Sequence, residues 1–355
     1  GLRVLRAVVR EGEWRLPITW VPLAPYPRIL LRSSWLETYT PPMPHALTAL
    51  LRSLKAGKFD LVHLHGFGHP FIDAAAAICR MLGLRYVLTI HGVPYTPFRR
   101  RWLLPPFTLY LKTLGWRTYA GARAVMFVSE WLRRYFEELY GPRDATYVVY
   151  NGVSLSAQQL AVKPEVKAAC RLPPEAKVVL LVGRVIESKG FHLVIMALPR
   201  VLRHLRNVYV VIAGRDWGYL RRLLELASKL GVKDHVRYIG PFRAEERGSV
   251  YAMADVVVMP SLIEPFGLVA VEALLYGKPV IVSRNSGVSE VIGRLAGVRV
   301  FDPSNIGELA DLILETLSGA GASSSRADDV ERLLQDFSWS SVARRCMEVY
   351  EHALA

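Results

Sequence analysis

The chain has 355 residues, 52% of them hydrophobic, and carries 45 Lys+Arg against 31 Asp+Glu for a net charge of +14. Apolar content on that scale supports two cores, since single domains usually run about 100 to 200 residues. Its three cysteines, Cys79, Cys170 and Cys346, lie far apart with no CxxC, which argues against a disulfide framework or a zinc knuckle and suits a reducing cytoplasm.

No apolar run reaches the roughly 18 to 20 residues that a membrane-spanning helix needs, and no basic-then-apolar leader opens the chain. The expectation is a cytoplasmic protein, with peripheral contact to the inner face of the membrane. The positive charge is uneven: residues 1 to 160 hold 20 Lys+Arg against 9 Asp+Glu, and residues 161 to 355 hold 25 against 22. A basic first half suits a phosphorylated substrate or anionic lipid. No zinc-finger, RRM or KH signature accompanies it, so nucleic acid is not an expected partner.

In chain order, short apolar runs ending in polar or glycine residues alternate with helical periodicity, the pattern of βα units in a mostly parallel sheet. The first half has DLVHLHG (60–66), RYVLTIHG (85–92), AVMFVSE (124–130) and ATYVVYNGV (145–153). The second has KVVLLVGR (177–184), VYVVIAGR (208–215), VRYIG (236–240), DVVVMPS (255–261) and PVIVSR (279–284). GYLRRLLELASKLG (218–231) is one helix between them. The pattern implies two doubly wound Rossmann-like domains, with ligands at the carboxyl ends of the strands and a site in the cleft between the domains. The boundaries read as 1–160, 161–336 and a final helix over 337–355 that packs back on the first domain.

EPFGLVAVE (264–272) places two carboxylates in an otherwise apolar stretch, where an unpaired charge costs several kcal/mol to bury. The spacing predicts a helix over Leu268 to Tyr276, stopped by Gly277 and Pro279. Glu264 then stands ahead of its N-terminus, and the amides of Phe266, Gly267 and Leu268 present a site for phosphate. Glu272 lies one to two turns on, roughly 8 to 12 Å away at about 1.5 Å per residue. One carboxylate can hold hydroxyls of a transferred sugar and the other a nucleotide ribose. Equally, Glu264 is a loop acid and Glu272 the partner of a neighbouring arginine. In VGRVIESKG (182–190), Arg184 and Lys189 follow another strand end and could neutralise a diphosphate without a metal. No DxD occurs, so neither a divalent metal nor another cofactor is expected.

These stretches, with YIGPF (238–242) and FSWSSVARRCMEVYEHAL (337–354), resemble the C-terminal domain and tail helix of glycosyltransferase family 4, retaining enzymes of the GT-B fold. The glutamate pair matches that family's E-x7-E signature. The resemblance implies that Glu264 contacts the donor sugar, Glu272 the ribose, and Arg184 and Lys189 the diphosphate, with the amides of Phe266, Gly267 and Leu268 completing the pocket and Ile239 beside the base. It implies that TIHG ends in an active-site histidine, His91, whose other reading is a satisfied strand-end histidine. YNGVS resembles the turn into the second domain, with Ser154 where members often carry Asp, and the turn after VIAG reads RDWG. The opening GLRVLRAVV resembles a later strand of the family, and about 50 or 60 residues of its first elements are expected to be missing.

The function this implies is a metal-independent hexosyltransferase that moves a sugar from a nucleotide diphosphate sugar to a hydroxyl acceptor, which is a glycan, a lipid-linked carrier or a small molecule, with retained anomeric configuration. One alternative is a degenerate nucleotide-sugar-binding scaffold. Another is a zinc-dependent amidohydrolase built on His63 and His65, with His69, His192, His204 and His235 as further ligand candidates. Residues 97–119 interleave Arg and Lys with Trp, Phe, Tyr and Leu, which reads as a domain helix with a basic outer face or as a peripheral membrane surface. Arg99, Arg100 and Arg101 are the expected lipid contacts.

Overall fold

The computed structural model describes residues 4–5, 18–19, 44–57, 59–93, 104–153, 167, 170–319 and 327–355. Apart from Val4 and Leu5, the opening stretch 1–9 falls outside the described residues, as do Ser154 and Arg99 to Arg101. The chain divides into two compact units. One comprises Gly1–Met126, Asp144–Tyr147 and Val349–Ala355, and the other Phe127–Arg143 and Val148–Glu348.

In the first unit, β1 (Val4–Leu5) pairs antiparallel with β2 (Ile18–Thr19). After α1 (Pro44–Ala56) come β3 (Leu61–His65), α2 (Pro70–Met81) and β4 (Arg85–Ile90). A helical run continues as α3 (Leu104–Tyr110), a π-turn (Leu111–Gly115) and α4 (Trp116–Ala120). The strands β3 and β4 pair in parallel, and with β5 (Ala124–Phe127) and β6 (Thr146–Val148) they make a four-stranded sheet ordered β3-β4-β5-β6. From Tyr86 to Ile90 every side chain of β4 is buried, as an inner strand covered on both faces requires.

The second unit holds α5 (Glu130–Tyr140) and a six-stranded sheet of β7 (Lys177–Val182), β8 (Val208–Ala213), β9 (Val236–Gly240), β10 (Val256–Met259), β11 (Val280–Ser283) and β12 (Val298–Phe301). All its pairings are parallel, in the order β12-β11-β10-β7-β8-β9. Its inner strands are near-continuous runs of fully buried Val, Leu and Ile. Helices α6 (Phe191–His204) and α11 (Ile306–Leu317) pack on it, and Phe191, Val194, Leu198, Leu309 and Ile313 join the strand side chains in one apolar core. The remaining helices are α7 (Leu220–Lys229), α8 (Arg247–Ala252), α9 (Leu268–Leu275), α10 (Ser289–Ile292), α12 (Ala327–Asp336) and α13 (Trp339–Leu354).

Strand order determines where this sheet can receive a ligand. Chain progression runs outward from β7 through β8 to β9, then returns to β10 on the other side of β7 and continues to β11 and β12. Loops leaving β7 and β10 therefore diverge, opening a crevice at the carboxyl ends of that central pair.

Candidate functional site

The loop after β7 carries Arg184 and Lys189, and the loop after β10 carries Glu264. The two loops are tied together. Leu262 N donates to Ser188 O at 2.9 Å, and Gly190, at φ +67°, sits so close to Pro260 that an added Cβ would lie 1.9 Å from its carbonyl oxygen. Only glycine meets both the left-handed φ and that approach. Across this junction Lys189 Nζ pairs with Glu264 Oε2, with side chains 18% and 12% exposed, and Ser261 Oγ donates to the same oxygen at 3.4 Å. Glu264 is held from a third side as well: its amide donates to Asn285 O (3.1 Å), and its carbonyl accepts from Gly287 N (2.9 Å).

Four residues beyond Glu264, helix α9 begins. Its N-cap is Gly267 at φ +113°, where an added Cβ would lie 2.5 Å from Met259 Cε. The amides of Gly267, Leu268 and Val269 have no acceptor among the described residues, as expected of a first helical turn. The Phe266 ring, 2% exposed, packs against Tyr150 and Phe337 with centroids 5.7 Å away in each case. Its side chain is thus committed to the core, and the backbone is what it offers a ligand. The helix runs Leu268–Leu275, against the Leu268 to Tyr276 that the spacing predicts, with Tyr276 as its C-cap.

Glu272 is the single charge on α9, whose Ala270, Val271, Ala273, Leu274 and Leu275 are buried. Arg247 Nη1 donates to its Oε1 at 2.8 Å, and Tyr251 OH to its Oε2 at 2.8 Å. The arginine partner expected as one reading of this acid is therefore present, and it arrives from α8 together with a tyrosine. Burial beside this carboxylate pushes the Tyr251 hydroxyl well above its ordinary range, so it stays a donor. A carboxylate oxygen accepts two hydrogen bonds, which leaves Glu272 capacity for a hydroxyl.

Arg184 is exposed, and its guanidinium lies 5.5 Å from the centroid of Trp217, over which Arg215 also sits at 5.9 Å. The RDWG turn thus supplies an aromatic rest that limits where Arg184 can reach. Asp216 builds the turn by accepting from the amides of Gly218, Tyr219 and Leu220 at 2.9 to 3.1 Å. Ile239 is half-buried near the end of β9.

In the first unit, His91 is exposed just after β4, and its Nε2 lies 3.0 Å from His65 Nδ1 with the rings stacked at 5.3 Å. The ring of His63 sits 3.9 Å from that of His65 and has both nitrogens engaged, Nδ1 with Tyr350 OH and Nε2 with Thr89 Oγ1, each at 2.6 Å. Burial, and the neighbouring imidazoles, lower the pKa of His63 to about 3 and that of His65 to about 4. Both nitrogens of His63 face hydroxyls, and among the described residues no group of three or more His, Cys, Asp or Glu is arranged to hold a metal ion. His192 and His235 are engaged with Tyr219 OH (3.4 Å) and Val208 O (2.9 Å). The zinc reading finds no ligand set there.

Sequence reasoning passed over Ser129, Ser261, Trp217, Arg247 and Tyr251. All but Ser261, which lies three residues from Glu264, act through a residue distant in the chain, and at Ser129 the local signal is the Ser-Glu start of α5.

A parallel doubly wound sheet whose central crevice gathers cations and a carboxylate beside a helix N-terminus, together with a second α/β unit, defines the GT-B class of glycosyltransferases. The group 1 glycosyltransferase profile matches residues 162–330, and the glycosyltransferase family 4 profile matches 7–157. An uncharacterised glycosyltransferase of Methanocaldococcus jannaschii is 30% identical over 322 residues, covering 88% of this chain and 80% of its own. Glycogen synthase of Mycobacterium tuberculosis is 31% identical over 341 residues, covering 88% and 75%. Among solved structures, Anabaena HepE in complex with UDP superposes with a TM-score of 0.70 at 20% identity, covering 86% of this chain and 82% of that one. Sucrose-phosphate synthase from Thermosynechococcus elongatus gives 0.69 at 21%, covering 98% and 85%. The chain belongs to the group 1, family 4 type of glycosyltransferases.

Proposed function

We propose that this glycosyltransferase moves a sugar from a nucleotide diphosphate sugar to a hydroxyl acceptor with retention of anomeric configuration, and that it needs no metal. Lys189 and Arg184 neutralise the diphosphate, with the leading amides of α9 as further donors to it. Glu264 accepts hydrogen bonds from the transferred sugar. Glu272 takes the ribose, Ile239 borders the base, and His91 serves the sugar and the scissile bond. In the transfer, the bond from the anomeric carbon to the diphosphate oxygen breaks, the acceptor oxygen bonds to that carbon, and the acceptor proton leaves with the released diphosphate. Negative charge builds on the departing group, so fixed cations and aligned amides aimed at it lower the barrier. Neither named glutamate is assigned as a nucleophile, which favours a path without a covalent glycosyl intermediate. The acceptor is a hydroxyl of a glycan, a lipid-linked carrier or a small molecule.

The observation that carries this reading is the Lys189–Glu264 pair, seated between the loops of the central strands ahead of α9. Cation and anion stand side by side there, as a ligand joining a diphosphate to a polyhydroxyl ring requires. HepE was solved with UDP and with UDP-glucose, so uridine donors come first in a panel of nucleotide sugars. Thermal shift, donor hydrolysis with and without EDTA, and the anomeric signal of the product are the readouts. Glu264→Ala and Lys189→Ala should each cut transfer strongly while the fold persists. Near-normal turnover in both variants refutes the assignment, and stabilisation by a donor without turnover would favour a binding scaffold.

A further inference from the structure

From residue 74 to residue 129 the sequence contains no Asp or Glu. The acid just before that window, Asp73, is 7% exposed and turned inward: Thr118 Oγ1 donates to its Oδ1 at 2.6 Å and Tyr110 OH to its Oδ2. Those bonds fasten the helical run Leu104–Ala120 to α2, and Leu111, Gly115, Thr118 and Tyr119 are buried along the same side. The inner face fixed in this way determines the outer one. There Leu109 is 65% exposed, Leu114 50% and Trp116 41%, with Lys112 and Arg117 exposed among them. The π-turn over Leu111–Gly115 breaks α-helical spacing in the middle of this face. At its edge Arg80 Nη1 donates to Arg117 O at 3.2 Å, and the next residue, Met81, is 73% exposed at the end of α2.

We propose that this face, centred on Leu109, Lys112, Leu114, Trp116 and Arg117, docks on the surface of an anionic phospholipid bilayer. Large apolar side chains held out to solvent mark an interaction surface rather than ordinary exposure. Here Lys112 and Arg117 stand exposed among them in a stretch, residues 74–129, that holds no Asp or Glu, so the complementary partner is negatively charged and can also admit apolar groups. A bilayer interface satisfies both demands: Leu and Trp enter the acyl boundary while Lys and Arg remain among headgroup phosphates. The docking stands apart from the transfer chemistry and rests on the proposed reaction only for its consequence, that lipid-linked hydroxyls become the acceptors within reach.

Cosedimentation of the full chain with phosphatidylglycerol vesicles, and separately with phosphatidylcholine vesicles, tests it. Binding is expected to phosphatidylglycerol, to fall at high salt, and to be weakened roughly tenfold or more in Lys112→Glu/Arg117→Glu. Leu114→Ser/Trp116→Ser, at unchanged net charge, should weaken it as well. Thermal unfolding and donor hydrolysis of both double variants should match the wild type, and Lys112→Ala/Arg117→Ala replaces the charge reversal if that one misfolds. Absence of vesicle binding, or equal binding by wild type and variants, overturns the proposal. So does a concentration-dependent dimer, or capture by an acidic protein, that Leu114→Ser/Trp116→Ser abolishes while vesicles are ignored. Lost donor turnover with vesicle binding intact would count against the enzymatic reading alone.

Discussion

The hydroxyl of Ser129 donates to the carbonyl of Pro265 at 2.6 Å while accepting from Leu132 N at 3.1 Å, so one fully buried side chain both caps α5 and fixes the segment that carries Glu264. Gly287 closes against it, with room for no Cβ: one would lie 2.4 Å from Ser129 Oγ. Alongside, the Glu290 carboxylate accepts from the amides of Glu130 (2.6 Å) and Trp131 (3.0 Å), anchoring the same helix start. Ser129→Ala is expected to cost about 1 to 3 kcal/mol through the lost cap and the unpaired carbonyl. If Ser129 positions the Glu264 loop, the variant also raises the donor KM several-fold, and Ser129→Thr restores it. Stability loss with an unchanged donor KM would confine Ser129 to holding α5.

Lys189 and Glu264 neutralise each other in the absence of a donor, so their contributions to donor binding cannot be independent. Lys189→Met leaves a mostly buried carboxylate without its cation, and Glu264→Gln leaves the converse. Each single variant should weaken donor stabilisation in a thermal shift more than tenfold, and the double variant should be less impaired than the product of the two, by on the order of 1 to 3 kcal/mol of coupling. Additive effects would mean that the pair does not act as one unit.

Strand existence was legible throughout the second unit because the parallel-sheet interior demands uninterrupted apolar runs: each of the five runs read there is a strand, trimmed by at most two residues at either end. The exception is β12, Val298–Phe301, whose Arg299 interrupts the pattern at the sheet edge, where half-burial permits a charge. Arg184, Lys189 and Glu264 could be picked out because charged residues directly after strand ends have a known address in this topology. Partners of those residues could not. Trp217 meets Arg184 only because Val185 and Asp216 bridge, and Ser129 reaches Pro265 across 136 positions. No spacing in a single sequence encodes either encounter.

Gly190 joins the loops that hold Lys189 and Glu264, and its conformation leaves no room for a side chain. Gly190→Ala must relieve a 1.9 Å approach to Pro260 O and adopt φ +67° at the same time. The expected cost is about 2 kcal/mol or more, seen as a fall of roughly 4 to 8 °C in Tm. Because the displaced atoms belong to the junction itself, donor stabilisation should fall along with Tm. Gly218→Ala is the control, since its φ is +88° but an added Cβ there meets nothing within 4 Å, so backbone strain is its only penalty. Equal losses in the two variants would remove the close approach as an explanation.

His63 makes the fold sensitive to acid in a definite direction. Burial holds its imidazole neutral, with a pKa of about 3 against 6.5 for an unhindered ring, so between those values the unfolded chain binds a proton that the native state refuses. Stability from this residue is complete above pH 6.5 and declines as pH falls toward 3. At pH 5 the loss is about 2 kcal/mol, at about 1.4 kcal/mol per pH unit below 6.5. Replacing the ring with a side chain that cannot titrate removes that slope: His63→Gln loses some stability at pH 7 through its bonds to Tyr350 and Thr89, yet its Tm should fall less between pH 7 and pH 5 than that of the wild type. Parallel Tm profiles for the two proteins over that interval would show that His63 titrates alike in the folded and unfolded chains. The neighbouring His65, lowered to about 4 by burial and by His91, adds a slope of the same sign over a narrower window, from pH 6.5 down to about 4, which His65→Gln removes.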